Sequence, residues 1–498
     1  MKREEKDRLI AMLPPDTRPV VDLMVRLYED QLAQRDQIIA DMEARIRELA
    51  AQVNQNSSNS SRPPSSDGPK KLPKAPRSQG KTKKRPPGGQ KGHPGRTLKM
   101  VSSEEATIQD HYPRACGVCG EDLNNQAPLD YERRQVFDIP PFDIEITEHR
   151  AHYKQCPCCA HQTQAAFPAE ATNHAVYGPN IRTTVSYLMV YQMLPYERTA
   201  RLLLDLFGIE LSQGTLDNIL QDANSGLALF ADQLRECLQH TDVVGFDETT
   251  IRAEDAQRYA HVARSEQHTL FHLGRRDYET MNQMGVLPAF EGVAVHDRYA
   301  NYFGYDCQHS LCNAHLLRDL QGVIDRYADD WPKRQWAEEL QQLLRKMNQA
   351  IKRAKEKGKT GFSTQHQAQY RQRFRYWVEQ GLKNHPEVPP PQIGAPSSKQ
   401  SKAHNLLIAL DQYTDEALHF LYDFNVPFDN NGAERDIRML KVKMKISGFF
   451  HSLTTGNRFL RIRSFISTAE KQGWTAFQAL RQLFSSQQEA FVLNLVRL

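Results

Sequence analysis

The chain has 498 residues, with 64 Lys plus Arg against 60 Asp plus Glu, a formal charge of only +4. This length is enough for roughly three or four folded units, and the hydrophobic fraction of 39% is low enough that part of the chain should stay unpacked. No run of 18 apolar residues occurs, and the start Met1-Lys2-Arg3-Glu4-Glu5 has no apolar segment behind its charges, so membrane insertion and export are both excluded as expectations. Eight cysteines are too few for a disulfide framework, which points to a reducing, cytoplasmic compartment.

Residues 1–54 read as helix. Val25, Tyr28, Leu32, Arg35, Ile39, Met42, Ile46, Leu49 and Val53 recur at alternating spacings of three and four, the repeat of a coiled coil, with Arg35 as a lone charged seam residue. Self-association into a homo-oligomer is the expectation; an amphipathic helix packed on its own domain is the alternative. Residues 55–100 form an Asn-, Ser-, Pro- and Gly-rich linker with almost nothing to bury, a composition that predicts disorder. From Arg62 to Lys99 twelve Lys or Arg stand against the single acid Asp67, a local charge of +11, so the rest of the chain carries −7. A flexible polycation that includes Lys84, Arg85, Lys91 and Arg96 suits DNA phosphates, and DNA attraction is expected to concentrate there.

Residues 101–170 contain Cys116-x-x-Cys119 and Cys156-x-x-Cys159. Two such pairs can close a tetrahedral site, and four sulfur ligands leave no open position, so Zn²⁺ there would be structural. Cys158 leaves the identity of the fourth ligand open, and free buried thiols are the alternative. Phe142, Ile144 and Ile146 alternate with acids after Pro140-Pro141, which predicts a β-hairpin joining the two knuckles. Residues 171–238 are helical by pattern. Tyr196 to Phe207, a stop at Gly208 and a start at Ser212-Gln213-Gly214-Thr215 have the spacing of a helix-turn-helix, although any helical packing module can match it.

Residues 239–314 change texture. Val243 to Asp247 reads as a buried strand, Tyr259–Arg264 and Thr269–Leu273 as a hairpin, 277–284 as a helix, and Gly292 to Asp297 as a second buried strand, together a mixed α/β sheet. Residues 315–424 are a charged helical insertion, 425–450 carry a helix, and 451–498 are helical. Asp247 and Asp297 are each expected to end an apolar strand, where ligands bind in α/β architecture. Two buried carboxylates favour a divalent cation, whereas a single one would be read as a turn cap. The third element is Asp429-Asn430-Asn431-Gly432-Ala433-Glu434, whose Asp and Asn residues should cap a helix. Ala433, Ile437, Leu440 and Met444 make one apolar face of it. Glu434, Arg438, Lys441 and Lys445 share another, either as a solvated stripe or as an acid beside phosphate-binding cations.

Four motifs in this order, Gly245-Phe246-Asp247-Glu248-Thr249, His296-Asp297-Arg298-Tyr299-Ala300-Asn301-Tyr302, Cys312-Asn313-Ala314-His315-Leu316-Leu317-Arg318 and Asn430 to Arg438, resemble the insertion sequence 66 family of bacterial DDE transposases. The Ser/Asn/Pro tract, Gly88 to Gly95, the paired cysteines and Ser464 to Gly473 resemble it too, so the likeness covers nearly the whole chain. The resemblance implies a multidomain α/β protein: an RNase H-like catalytic core split by the helical insertion, an N-terminal coiled coil, a zinc module and a helical DNA-binding region. It implies Asp247, Asp297 and Glu434 as an acidic triad holding Mg²⁺ or Mn²⁺ for strand cleavage and strand transfer, and Lys441 as a phosphate contact. His315 and Arg318 match a motif after the second aspartate, with packing, capping and active-site contact open as roles. Its partners would be element-end and target DNA, accessory proteins of the element and no membrane, in a nucleoid-associated protein. A DNA-binding regulator with a degenerate core and a nuclease without strand transfer are the competing readings.

Overall fold

The computed structural model describes residues 17–53, 98–139, 144–168, 170–389 and 400–497, with Met12, Pro14, Pro15, Gln55 and Asn59 besides. Residues 60–97 of the basic linker, including Lys84, Arg85, Lys91 and Arg96, lie outside the described residues. The chain divides into two units, residues 70–147 and residues 1–69 with 148–498. Among the described residues, no helix is long and apolar enough to cross a membrane.

In the smaller unit the first knuckle closes on itself. Cys116 N–H donates to Glu121 O at 2.8 Å, Gly120 N–H returns to Cys116 O at 3.0 Å, and Ala115 bridges Asp122. The same turn recurs in the larger unit: Cys156 N–H donates to His161 O at 2.8 Å and Ala160 N–H to Cys156 O at 2.9 Å. Each turn needs a left-handed residue four places after its first cysteine, filled by Gly120 (φ 79°) and by Ala160 (φ 58°). Strands β1 (Tyr153–Gln155) and β2 (Gln162–Gln164) pair antiparallel around the second turn. Among the described residues the hairpin expected between the knuckles is not formed: residues 144–150 are extended without a ladder, and Ile144 and Ile146 are exposed. Phe142 lies outside the described residues. Alternation stabilises a strand only where one face is buried, and here neither face is.

Helix α1 (Arg18–Val53) has 36 residues, roughly 54 Å at 1.5 Å per residue. Tyr28, Leu32, Ile39, Met42, Ile46, Leu49 and Val53 on its seam are exposed. Next come α2 (Pro179–Ser186), which runs on through a π turn at Tyr187–Tyr191, then α3 (Tyr196–Phe207), α4 (Gln213–Ser225) and α5 (Ala228–Gln239). Gly208 ends α3 at φ 65°, and Ser212 Oγ caps α4 by accepting from Thr215 N–H at 3.1 Å. Leu216, Ile219, Leu220 and Ala223 of α4 are buried, while its outward residues Gln213, Asn218, Gln221, Asp222 and Ser225 include no cation. A helix with this surface packs well but offers DNA phosphates no charge partner.

The sheet has the order β5-β4-β3-β6-β7. Strands β3 (Val243–Ala253), β4 (Ala256–Arg264) and β5 (Thr269–Gly274) are antiparallel neighbours, while β6 (Val293–His296) and β7 (Gln308–Leu311) run parallel to β3. Helix α6 (Tyr278–Met284), capped by Asp277, joins the two sets. Along β6, Val293 and Val295 enter one core while Ala294 enters another. The first is built by the insertion helices α7 (Asn313–Arg326), α8 (Trp331–Glu356), α9 (Thr364–Asn384) and α10 (Lys402–Gln412), followed by two single turns, α11 (Thr414–Ala417) and α12 (His419–Tyr422). The second unites α2 to α5, most of the sheet and the C-terminal helices α13 (Asn431–Ser447), α14 (Leu453–Lys471), α15 (Ala476–Leu483) and α16 (Gln488–Asn494).

Helix α14 covers the β5 edge of the sheet. Thr269, Phe271 and Leu273, alternate residues of β5, direct their N–H groups outward, and Thr468 Oγ1 (3.1 Å), Ser464 Oγ (2.9 Å) and Asn457 Oδ1 (2.9 Å) accept them. Three polar side chains thus replace the missing neighbour strand, which leaves no open edge on that side.

Candidate functional site

Sheet register brings the two aspartates together. The last β3–β6 pair is Gly245↔Val295, and two residues later come Asp247, within β3, and Asp297, just past the end of the parallel neighbour β6. The chain adds β4 and β5 on one side of β3 and then returns to add β6 and β7 on the other, so the strand order reverses at the β3–β6 boundary, a switch point of the kind where ligands bind. Asp247 is not strand-terminal as expected. It pairs with Val262 in mid-strand, because the β4 hairpin carries β3 on to Ala253 after β6 has ended. Asp247 Oδ1 accepts from Glu248 N–H at 2.9 Å, and Asp297 Oδ1 from Tyr299 N–H at 2.8 Å. Burial, reinforced by the negative charges of Glu248, Asp297 and Glu434, pushes the Asp247 carboxyl well above the usual range. Below Asp297, His296 is fully buried against the Tyr302 ring, 4.5 Å away between centroids, and burial lowers its pKa to about 4. A neutral ring there donates Nδ1–H to the Asp297 carbonyl.

Glu434 arrives from α13. Ala433, Ile437 and Leu440 are buried against the sheet side, as the apolar stripe predicts. A methyl at Gly432 would overlap the Arg264 guanidinium, so the glycine leaves that side chain its place between the helix start and β4. The Glu434 carboxylate accepts from Arg318 Nη2 at 2.5 Å, and His315 Nε2 lies 3.8 Å from the same oxygen. Arg318 and His315, one turn apart on α7, therefore flank Glu434. Burial, with the Arg318 charge second, keeps the His315 ring pKa low, while Asp297 and Glu434 act in the opposite direction. Ligand atoms of Cys312, His315 and Glu434 fall within 4.8 Å of one another, but the guanidinium already supplies the cation at Glu434.

Several residues needed tertiary structure to be seen. Glu248 has only 4% of its side chain exposed, and accepts from Arg276 Nε (2.6 Å) and from Tyr302 Oη–H (2.7 Å). Arg276 Nη2 stands 3.7 Å from Asp297 Oδ2, and its guanidinium lies 4.0 Å above the Tyr299 ring. Arg298 pairs with Asp319 of α7. Among the expected phosphate contacts, Arg438 and Lys445 are exposed. Lys441 instead donates to Thr250 O (2.6 Å) and Oγ1 (2.9 Å), which ties α13 to β3, and burial lowers its pKa. Asp429 accepts from Asn431 N–H at 3.1 Å as an early cap, but Asn430, at the N-cap position, makes no capping bond with its side chain.

The first thiol of each knuckle is set where N–H groups favour its thiolate. N–H groups of Cys119 and Val118 lower the Cys116 thiol pKa, and those of Cys159 and Cys158 do the same for Cys156. Thiolate is the form that binds zinc.

Comparison with known families agrees with these features. Residues 113–160, spanning both cysteine pairs, match the zinc-finger binding domain of transposase IS66, so the zinc is structural. Residues 12–99 match a family of unknown function. A search of the curated proteins found no match to the chain. Residues 174–458, more than half of the chain and including every strand of the five-stranded sheet, α7 and α13, match the Transposase IS66 family. The chain belongs to the IS66 family of transposases.

Proposed function

We propose that the chain is a DNA transposase in which Asp247, Asp297 and Glu434 form the acidic triad of an RNase H-like core, cutting the ends of its element and joining the freed 3′-hydroxyl to target DNA. The carrying observation is the convergence of these three carboxylates, one within β3, one just past the end of its parallel neighbour β6 and one from a helix reached only after the whole insertion. The hairpin-linked β3, β4 and β5, extended by parallel β6 and β7, support the fold reading. An all-oxygen donor set suits Mg²⁺ or Mn²⁺. When bound, a pair of such ions activates the attacking oxygen and steadies the leaving oxygen in an in-line displacement at phosphorus.

The chain's own residues do the rest. Asp247 and Asp297 are held by backbone N–H donors, so their carboxylates keep a fixed aim. Glu434, now paired with Arg318, would hold the cation once that pair opened, and the guanidinium would then be placed to meet DNA phosphate. Arg276, braced by Glu248 and Tyr299, holds a second cation at the rim beside Asp297. Arg438, Lys445 and the basic arm bind DNA beyond the reacting phosphate, and the zinc module serves end recognition.

Full-length protein with Mg²⁺ is expected to nick DNA bearing the repeats that flank its own reading frame and to join a precut end to a second duplex. Cutting without joining would leave a nuclease, and binding without cutting a DNA-binding regulator.

The exposed seam of α1 is assigned to a second copy of the chain. Full-length protein carrying Ile39→Asp and Ile46→Asp, which place like charges in that seam, should sediment at lower mass than the unsubstituted protein. Equal masses would remove α1 from the interface.

A further inference from the structure

The structure assigns Asn430 as a positioning residue that fixes the Glu434 helix against the Asp247 strand and thereby sets the spacing of the divalent-cation site. This inference rests on the acidic-triad reading above. Asn430 is four residues before Glu434 on α13, whose first-turn bond runs from Glu434 N–H to Asn430 O at 3.3 Å. Its side-chain Nδ2 donates to the carbonyl of Phe246, the residue before Asp247, at 2.7 Å, and its own N–H donates to Cys312 Sγ, at the head of α7, at 3.1 Å. One residue, 5% exposed, therefore joins the three elements that carry Asp247, Glu434 and the His315/Arg318 pair.

Two features separate this arrangement from ordinary packing. Asparagine at an N-cap normally accepts from the first helical turn, yet here the amide turns away from its helix to reach the strand. The strand also makes room for it: a methyl at Gly245 would overlap Asn430 Oδ1. The β3–β6 ladder ends at Gly245↔Val295. Just beyond that point the strands no longer fix each other, and the Asn430 amide takes the Phe246 carbonyl. The start of the Glu434 helix is thereby tied to the strand that carries Asp247.

The test measures metal binding apart from catalysis. Mn²⁺ binding to the full chain, with its structural zinc in place, is followed by loss of the free-ion electron paramagnetic resonance signal. Asn430→Ala should raise the half-saturating Mn²⁺ concentration about tenfold, the lower end of what removing an outer-shell partner costs. Gly245→Ala, which displaces the amide without removing it, should raise it similarly, and the double variant should add little to either. Thermal midpoints and circular dichroism of all three identify the folded samples; if Asn430→Ala does not fold, Gly245→Ala decides. Wild-type Mn²⁺ affinity in a folded variant overturns the positioning role, as does full additivity in the double variant. Glu434→Gln separates the two layers: if it binds Mn²⁺ as tightly as wild type, the triad reading itself fails, whereas weakened binding there with unchanged affinity in the Asn430 and Gly245 variants sinks only this inference.

Discussion

Glu434→Gln is expected to abolish Mg²⁺-dependent cleavage of element ends while leaving the protein folded and bound to DNA. The substitution keeps side-chain volume and removes the charge that would hold a hard cation. Loss of an outer-shell partner alone costs 10–100-fold, so loss of the carboxylate itself should reduce cutting by more than about a hundredfold. Folding should survive because α13 is seated by Ala433, Ile437 and Leu440 and by the glycine contact with Arg264, none of which changes. Arg318 loses its carboxylate partner, a local cost, but an amide oxygen remains to accept from it. DNA binding should persist because the exposed Arg438 and Lys445 and the basic arm are untouched. Gel-shift and cleavage assays on the same preparation provide the check. A variant that cuts at a near wild-type rate would remove Glu434 from the reaction.

Zinc removal should have the largest effect on structure. Val118, Leu129 and Val136, all more than 90% exposed, leave the first knuckle and the chain after it without a hydrophobic core. Order among described residues of the smaller unit rests on the turn at Cys116 and on a few bonds such as Gln135 to both polar groups of Val101. A structural zinc supplies on the order of 10 kcal/mol to small domains of this kind, more than these bonds can replace. Chelation should therefore collapse amide-exchange protection in both knuckle segments and spare the sheet and its helices, which have cores of their own. Protein purified without bound zinc, or knuckles equally protected after chelation, would refute the assignment.

Much of the core could be read from residues alone, and the exceptions have identifiable physical causes. Gly208 and Ser212 mark the end of α3 and the start of α4 through backbone conformation and capping, which are local properties. Asp277 marks the start of α6 in the same way. Strand β3 was legible only to Asp247, because its turn to β4 places Glu254 and Asp255 at φ 53° and 55° without a glycine to signal it. Tertiary contacts hold that turn: Glu254 N–H donates to Phe450 O at 3.1 Å, and its carboxylate accepts from Leu453 N–H at 3.2 Å. Strand β7 is four residues long and begins Gln-His, too short and polar for a periodic signal. The acids Asp247, Asp297 and Glu434 stood out through their motifs. Glu248 did not, since its meaning depends on Arg276 and Tyr302, which only the fold brings to it. Asn430 was legible as a helix start but not as a tether, because Phe246 is far from it in the chain.

The insertion between β7 and α13 also orders events in time. A ribosome adds about 5–20 residues per second, so several seconds, while α7 to α12 are made, separate the synthesis of Asp247 and Asp297 from that of Glu434. Through that interval the nascent protein has the aspartates of the site without its glutamate. If the three acids act as proposed, a polypeptide still tethered to its messenger would therefore be unable to cut nearby DNA until Glu434 has been added.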